Sequence, residues 1–284
     1  MNLRLTIAAI ALVISNAALF AQTPGNRSGL LEKNNLVAWC IVPFDAKDRA
    51  PAERAEMIKR LGLQRVAYDW RQEHVPTFED EILQYKQRGI EYFAFWSWHD
   101  DMEPLIRKHG IRPQIWSICT TPNNAAEDEM VKAAAQGMLP LVEKTRQLGL
   151  KLGLYNHGGW SGKPETKVAV CRYLRLTHHA DHVGIVYNFH HGHEHIERFP
   201  ESFEVMMPYL LCVNINGMTD AADLQAHPSR KIMPVGSGSH ERAMIQTIID
   251  MGYEGPIGIL GHRKEIDVEV ALQQNLDGLS KLVD

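Results

Sequence analysis

The segment KLGLYNHGGWSGKPETKVAVCRYLRLTHHADHVGIVYNFHH, residues 151–191, contains two short apolar runs separated by an amphipathic stretch. The runs LGLY and VGIVYNF are rich in β-branched and aromatic residues, which is typical of parallel strands that are covered on both faces. Between them a helical pattern extends from about Glu165 to Leu176. A buried strand, a helix and a second buried strand together indicate a parallel α/β sheet.

The same alternation recurs along the chain. Eight strand-like runs are present: Leu36–Phe44, Leu63–Trp70, Glu91–Trp98, Arg112–Ile118, Lys151–His157, His182–Phe189, Leu210–Asn216 and Gly255–His262. Helical patterns occupy the gaps at 50–62, 77–89, 127–149, 165–176, 201–207, 241–252 and 265–283. Eight strands that alternate with helices predict a single (β/α)8 TIM barrel over residues 30–284. The alternative, a doubly wound open sheet, has no GxGxxG after the first strand to support it.

The N-terminus, MNLRLTIAAIALVISNAALFAQ, has the form of a secretory signal over residues 1–22. Arg4 precedes an apolar run, and small residues follow it, so we expect an exported protein that is periplasmic or secreted. A membrane anchor is the alternative at this end. Because the run is short for a membrane span, we expect no membrane association once the signal is removed.

The composition and net charge of the chain limit the classes of partner molecule that we expect. The chain has 284 residues and a net charge of −4, with no basic run, so we expect no nucleic-acid partner. The sequence carries no signal for an oligomeric state. The four cysteines are widely spaced, which favours buried free thiols and leaves a disulfide as the alternative; they are Cys40, Cys119, Cys171 and Cys212.

Chemistry in a TIM barrel belongs at the C-terminal ends of the strands. The polar and aromatic residues at the predicted strand ends are Asp69, Trp98, His99, Asn156, His157, Asn188, His190, His191, Asn214, Asn216, His262 and Arg263. Amides suit sugar hydroxyls, an indole suits the apolar face of a sugar ring, and an arginine suits an anionic oxygen. Imidazoles at three strand ends suit proton transfer or metal binding.

Several of these positions also have a purely structural interpretation. We expect Trp96 and Trp116 to be core residues, because strand alternation directs some side chains inward. We expect His193 and His195 to be solvated or to pair with Glu194. The amides on the seventh strand have as their alternative role the satisfaction of loop backbone groups.

Three stretches carry a resemblance to a known family: KLGLYNHGGW (151–160), GIVYNFHHGHEH (184–195) and LLCVNINGM (210–218). They resemble the strand ends of the xylose-isomerase-like (β/α)8 family, which includes sugar isomerases, sugar epimerases, inosose dehydratases and endonuclease IV-type enzymes. The resemblance covers most of the mature chain. It implies a divalent metal held by Glu, Asp, His and Glu from strands five to eight.

The sequence departs from that pattern at the ligand positions. Tyr155 stands in the first Glu position, before a matching Asn156-His157. Asn188 or Tyr187 replaces the Asp, with His191 or His190 as the matching histidine. Asn214 replaces the strand-seven His, and Leu260 or Gly261 replaces the last Glu, close to His262.

Loss of these carboxylates disfavours a hard cation such as magnesium. The histidines that remain suit zinc, manganese or cobalt, and the expected ligands are His157, His190, His191 and His262. The alternative is a site without metal, in which imidazoles transfer the proton.

The resemblance implies an exported carbohydrate-active enzyme that abstracts a proton next to a carbonyl of a sugar or sugar derivative, as an isomerase or epimerase does. The expected catalytic residues are His157, His191 and Asp69, and the expected substrate-binding residues are Trp98, His99, Asn156, Asn188, Asn214, Asn216 and Arg263. Alternatives are a lyase or dehydratase that acts on a keto-sugar or keto-glycoside, and a non-catalytic sugar-binding protein on the same scaffold. Either way the expected partner is a small-molecule sugar. The missing carboxylates and basic surface argue against a nuclease.

Overall fold

Eight parallel strands close into one barrel in the computed structural model, which describes residues 27–122 and 126–283. Each strand pairs with its neighbours in sequence, and β1 pairs with β8. The strands are β1 (Leu36–Trp39), β2 (Arg65–Tyr68), β3 (Glu91–Trp96), β4 (Gln114–Ser117), β5 (Leu152–Tyr155), β6 (Val183–Asn188), β7 (Leu210–Ile215) and β8 (Ile257–Leu260). All eight lie within the predicted runs, and the (β/α)8 TIM barrel is confirmed. The predicted signal segment, residues 1–22, lies outside the described residues.

Helices surround the sheet. They are α1 (Arg27–Leu30), α2 (Pro51–Arg60), α3 (Phe78–Gln87), α4 (Met102–His109), α5 (Glu127–Leu148), α6 (Gly159–Gly162), α7 (Pro164–His178), α8 (Phe199–Met206), α9 (Ala221–Ala226), α10 (Glu241–Asp250) and α11 (Val268–Val283). Acidic residues occupy the first turn of most of the longer helices, where the helix dipole favours them. No helix in the described ranges is both long and apolar enough to cross a membrane.

Aromatic side chains fill the inside of the barrel. The Trp39 ring lies 5.0 Å from Trp116, 5.9 Å from Trp96 and 6.1 Å from Tyr155, measured between centroids. Gly153 on β5 makes this packing possible, because a Cβ there would lie 2.5 Å from Val186 Cγ2 and 2.9 Å from Trp116 Cδ1. Trp116 is a core residue, as expected, whereas Trp96 is only half-buried.

A second, larger apolar layer lies between the strands and the helices. It includes Tyr187, whose ring packs against Phe189 and Phe199. Since side chains alternate along a strand, the next residue, Asn188, lies on the side of the barrel interior. Tyr187 therefore belongs to the outer layer, and Asn188 is the strand-six side chain on the interior side of the barrel.

The four cysteines are all buried and unpaired, which confirms the prediction of free thiols. His193 and His195 are also buried, at 7% and 8% exposure, so the expectation that they are solvated was wrong. For His193 the reason is the connection between β7 and α10, which supplies both of its hydrogen-bond partners. His193 Nδ1 lies 2.9 Å from the carbonyl oxygen of Thr219, and its Nε2 lies 3.1 Å from that of Lys231.

Candidate active site

Four imidazoles meet at the C-terminal end of the barrel, which we call the mouth. His157 follows β5, His190 and His191 form a short turn after β6, and His262 follows β8. Ring centroids are 4.3 Å apart for His157 and His191, 3.9 Å for His190 and His191, and 6.1 Å for His190 and His262. The structure therefore brings together the four histidines that the strand ends predicted.

Burial and positive neighbours keep these rings neutral. Burial lowers the pKa of His190 well below its ordinary value, and nearby His191 and His262 lower it further. The pKa of His191 is lowered to about 3, by burial first and then by His157 and Lys231. At neutral pH these imidazoles are uncharged, so each ring offers one N–H donor and one acceptor nitrogen.

The other two members differ in exposure. His262 is half-buried, and burial followed by the charge of Lys231 lowers its pKa to about 4. His157 is the solvent-exposed member, and partial burial of its ring, followed by Lys231, lowers its pKa as well. Solvent exposure therefore increases across the cluster, from the buried His190 to His157 at the solvent edge.

Asp69 places a buried carboxyl group at the C-terminal end of β2. It directly follows β2, is 2% exposed, and accepts a hydrogen bond from the Val42 amide at 3.4 Å through Oδ1, whereas Oδ2 has no partner among the described residues. Burial raises its pKa to about 7, against the opposing effect of Arg71. A carboxyl group with this pKa is present in both protonation states near neutral pH, as acid–base catalysis requires.

Cys40 lies beside this carboxyl group. Its φ of 56° is in the left-handed region, which is uncommon for a residue other than glycine and turns the chain at the end of β1. Burial raises the pKa of the Cys40 thiol, and the charge of Asp69 raises it further. The thiol is therefore protonated, and because the thiolate is the nucleophilic form, Cys40 lines the site and does not act as a nucleophile.

Three of the expected substrate-binding amides bind one another. Asn156 Oδ1 accepts hydrogen bonds from the backbone N–H of Asn188 at 2.7 Å and from its side-chain amide at 2.8 Å. Asn214 Nδ2 donates to Asn188 Oδ1 at 2.6 Å, and a Cβ at Gly258 would lie 1.7 Å from Asn214 Oδ1. All three amides have no exposed surface. In this structure they tie β5, β6 and β7 together, and their contact with a sugar remains a prediction.

Asn216 is different, because its Oδ1 is buried without a partner among the described residues. Its Nδ2 donates to Gly217 O at 2.8 Å and to Lys231 O at 3.4 Å. The amide thus holds the backbone of the segment that carries Lys231, and its free oxygen can accept one further hydrogen bond.

The remaining three predicted residues are not brought to the histidines. The Trp98 indole donates to Asp100 at 2.8 Å and lies 5.0 Å from Lys144 Nζ of α5. The His99 ring packs edge-on against Trp70 at 4.9 Å. Arg263 donates to a glutamine of α11, Gln274. A substrate role for these three stays an untested prediction.

Four residues of the mouth were not among the predicted site residues: Phe44, Arg71, Lys231 and Lys264. The Phe44 ring lies 3.5 Å from that of His262, with Arg71 Cζ at 5.4 Å and Lys264 Nζ at 5.5 Å from the Phe44 centroid. Arg71 follows the predicted end of the second strand, Trp70, by one residue, and Lys264 follows that of the eighth, His262, by two, so a wider window would have included them. The signal for Lys231 was the 25-residue stretch between Ile215 and Glu241, which is longer than most connections in compact domains.

The resemblance implies a divalent metal, so the fit of these residues to one matters. Metal-binding imidazoles each direct one nitrogen to a common centre about 2 Å away. Among residues 27–122 and 126–283 no three His, Cys, Asp or Glu side chains form a group that could hold a metal ion. Tyr155 and Asn188, which the resemblance places at two acidic ligand positions, offer no carboxylate. The residues present do not fit the implied metal site, and we derive no step through a metal ion.

Comparison with known proteins identifies solved structures that have the same fold. No protein-family profile and no curated protein sequence matches the chain. Solved structures do match. The apo form of the 3-keto-D-glucoside 4-epimerase YcjR from E. coli superposes with a TM-score of 0.63 and 14% identity, over 88% of this chain and 98% of that one.

Two further matches have the same architecture. The IolI protein, whose structure holds a zinc atom, gives a TM-score of 0.64 at 14% identity, over 88% of this chain and 98% of its own. The probable 3-DHS dehydratase AsbF from Bacillus anthracis gives 0.65 at 11% identity, over 86% and 98%. Identities this low establish the fold alone. The chain therefore has the fold of the xylose-isomerase-like TIM barrels, which confirms at the level of the fold the resemblance that its strand ends carry.

Proposed function

We propose that this chain is an enzyme that removes a proton from the carbon next to a carbonyl of a sugar or sugar derivative and then returns it, as an isomerase or epimerase does. One observation carries the proposal. Asp69 follows β2 and His191 follows β6, and in a closed eight-stranded barrel these strands lie opposite each other. A substrate in the mouth would have a carboxyl group on one side and paired imidazoles on the other. The sugar epimerases among the proteins of the same fold support this choice.

Asp69 on one side of the mouth and the imidazoles on the other would have different roles in the reaction. The ionised carboxylate of Asp69 takes the C–H proton, and the electron pair of that bond moves onto the carbonyl to give an enediolate. A neutral imidazole, as in His191, donates its N–H to the oxygen on which the negative charge develops. Its low pKa suits this role, because an uncharged donor stabilises the oxyanion without first giving up its proton.

The destination of the proton decides the product. If Asp69 returns the proton to the neighbouring carbon, the reaction is an isomerisation. If a second proton, taken from water and relayed by the His157–His191 pair, reaches the same carbon from the opposite side while Asp69 later gives its own proton to water, the reaction is an epimerisation. The 4.3 Å separation of these two rings places them close enough to pass a proton between them through a short hydrogen-bonded path.

Elimination is the second candidate, and the exposure of His157 favours it. This ring lies at the solvent edge of the mouth, where a leaving hydroxyl or a glycosidic oxygen would point outward. A proton passed to that oxygen would complete a lyase or dehydratase reaction on a keto-sugar or keto-glycoside. The dehydratase among the proteins of the same fold is consistent with this chemistry.

Deuterium exchange tests the proposal directly. The purified protein is incubated in heavy water with keto-sugars and 3-keto-glycosides, and the carbon next to the carbonyl is followed by NMR. We expect exchange with the wild-type protein and a loss of about 10²- to 10⁴-fold in Asp69→Asn and in His191→Ala, the range typical of a removed acid–base group. His178→Ala, at the opposite end of α7, is the matched control and should retain the wild-type rate.

The outcomes separate the alternatives. Exchange without net elimination supports an isomerase or epimerase, and release of an unsaturated product supports a lyase. Tight binding of a sugar with no exchange across the panel would contradict the enzyme and leave the sugar-binding protein. Equal rates in the two site variants and the wild type would remove Asp69 and His191 from the mechanism.

We also propose that the protein acts after export. The form of residues 1–22 supports this location. N-terminal sequencing of the protein from the periplasm or medium should show a start near Gln22. A full-length chain retained in the cytoplasm would contradict it.

A further inference from the structure

Three cations border one side of the mouth, and none has a carboxylate partner within salt-bridge distance in the described structure. They are Arg71, Lys231 and Lys264, which we call the cationic rim. Arg71 and Lys264 lie over the Phe44 ring at 5.4 and 5.5 Å from its centroid. The backbone carbonyl of Lys231 lies 3.1 Å from His193 Nε2 and accepts a hydrogen bond from Asn216 Nδ2 at 3.4 Å, which places Lys231 at the same end of the barrel. Its charge also lowers the pKa of all four histidines.

Two acidic residues on this side of the barrel are already paired with other cations. Asp45, next to Phe44, binds Arg49 at 2.8 Å, and Asp267, three residues beyond Lys264, binds Arg49 and Lys47, each at 2.7 Å. Glu73 and Glu265 lie close in sequence to Arg71 and Lys264, but both are exposed and neither forms an ion pair with them in the described structure. The remaining buried acidic residue on this side is Asp69. Its raised pKa means that it neutralises at most part of one charge near neutral pH. No carboxylate among the described residues therefore forms a direct ion pair with the cationic rim.

The cationic rim also contrasts with the net charge of the whole chain. The chain as a whole is acidic, with 34 Asp and Glu against 30 Lys and Arg. Arg71, Lys231 and Lys264 are exposed side chains at the edge of the mouth. Like charges on one side of a cleft repel one another, and the repulsion is relieved when an anion binds between them. Beside the cationic rim, the buried nitrogen His262 Nδ1 and the buried oxygen Asn216 Oδ1 also lack partners among the described residues. The site is thus built with polar atoms left open next to positive charge.

We infer that the substrate of this site is a sugar derivative that carries an anionic oxygen group, a carboxylate or a phosphate, which the cationic rim binds above the Phe44–His262 pair. The inference rests on the proposed function for the location of the sugar. The guanidinium of Arg71 can bind such a group through two parallel hydrogen bonds, and the two lysines act as point charges. This anchor would fix the sugar by its charged end while the neutral imidazoles face its carbonyl.

Binding measurements test the inference without any need for turnover. The probes are matched pairs that differ in charge: hexuronates against their methyl esters, and hexose 6-phosphates against the free hexoses. Dissociation constants are measured by calorimetry at low and at physiological ionic strength. We expect the charged member of at least one pair to bind roughly tenfold more tightly or better, and the advantage to shrink as salt screens the charges.

Variants assign the effect to the cationic rim. Lys231→Met and Arg71→Met should each remove most of the charge-dependent advantage and leave the affinity for the neutral member within about twofold. Lys59→Met is the matched control, because Lys59 is exposed in the last turn of α2, at the opposite end of the barrel, and it should change nothing. Thermal unfolding of each variant verifies that the fold is intact. A preference for uronates identifies a carboxylate, and a preference for 6-phosphates identifies a phosphate.

The result that overturns the inference is equal binding of both members in every pair, or a charge preference that Lys59→Met loses as readily as Lys231→Met. The two proposals fail separately. Charge-dependent binding without deuterium exchange would refute the enzyme and retain the anion site. Exchange in uncharged keto-sugars as fast as in their charged counterparts would refute the anion site and retain the enzyme.

Discussion

Replacement of Asp69 by asparagine should stabilise the protein and inactivate it, and both effects can be measured on the same sample. Burial holds the pKa of Asp69 at about 7 instead of its ordinary 3.8. Between these two values the folded protein retains a proton that the unfolded chain has lost. The free energy of unfolding of the wild type therefore falls as the pH rises through this window.

The size of the effect follows from the same two values. A difference of this size between the folded and unfolded pKa corresponds to about 4 kcal/mol once the pH is above 7, an upper limit for a fully buried group. Asparagine has no proton to lose and nearly the same shape, so it avoids this cost. We expect Asp69→Asn to be more stable than the wild type by about 4 kcal/mol at about pH 8, with the difference vanishing at about pH 4.

The assay is equilibrium urea unfolding of both proteins across this pH range, paired with the deuterium-exchange rate. Asp250→Asn, a change at the exposed end of α10, is the control and should follow the wild-type curve. Parallel curves for Asp69→Asn and the wild type from acid to neutral pH would refute the reasoning, because they would mean that folding leaves the Asp69 pKa unchanged. A gain in stability with loss of activity would identify Asp69 as a residue retained for function at a cost in stability.

Three further predictions concern the rest of the mouth. His191→Gln should be more stable than the wild type by about 1–2 kcal/mol at about pH 5. The reason is that the folded state keeps His191 neutral, whereas in the unfolded chain this side chain takes up a proton below its ordinary pKa of 6.5. Acid titration followed by circular dichroism measures the difference, and equal midpoints for the two proteins would contradict it. Asn188→Ala should lower the free energy of unfolding by about 2–4 kcal/mol, because it leaves the amides of Asn156 and Asn214 without their buried partner. In the same urea assay the control Asn34→Ala, at an exposed turn, should have little effect. Turnover should survive dialysis against a chelator, because the histidines do not converge on a common centre; a loss of activity restored by about one equivalent of zinc, manganese or cobalt would reinstate the metal site.

The fold was predictable because each strand is a short apolar run between recognisable helices. The histidines of the mouth were predictable for a related reason, since the end of a strand in a TIM barrel fixes where the next residues lie. His157, His190, His191 and His262 are each within three residues of such an end. Their low pKa values were not predictable, because they depend on the neighbours that the closed barrel brings together.

Side-chain direction beyond a strand end was harder to predict. Strand alternation places Trp98 on the same side as Trp96, two residues earlier, and Trp96 does lie near the barrel interior, 4.3 Å from Tyr155. Between them Ser97 has a φ of 56°, which turns the chain so that Trp98 contacts α5 instead. No feature of the residue types signals this turn, since serine rarely adopts such a conformation.

The asparagines illustrate a second limit. An amide at a strand end can bind a sugar or another amide, and the residue type is the same in either case. The structure satisfies Asn156, Asn188 and Asn214 with one another, because β5, β6 and β7 are neighbours whose ends lie at the same level. Lys231 was missed for a different reason, since it comes from a long connection whose path over the mouth no strand pattern describes.

The aromatic packing inside the barrel gives this protein its own optical reporter. Trp39 packs against Trp96 and Trp116 beneath the mouth, so three of the six tryptophans form one cluster. Tyr155 packs against all three, and its ring centroid lies 6.0 Å from that of His191. Indole rings this close couple their electronic transitions, so the near-ultraviolet circular dichroism should contain a strong exciton signal from Trp39 and its neighbours. A ligand that settles on the imidazoles would perturb that signal and the tryptophan emission without any added dye. Substrate screening can therefore begin with the unlabelled protein in a spectrometer, before any product has been identified.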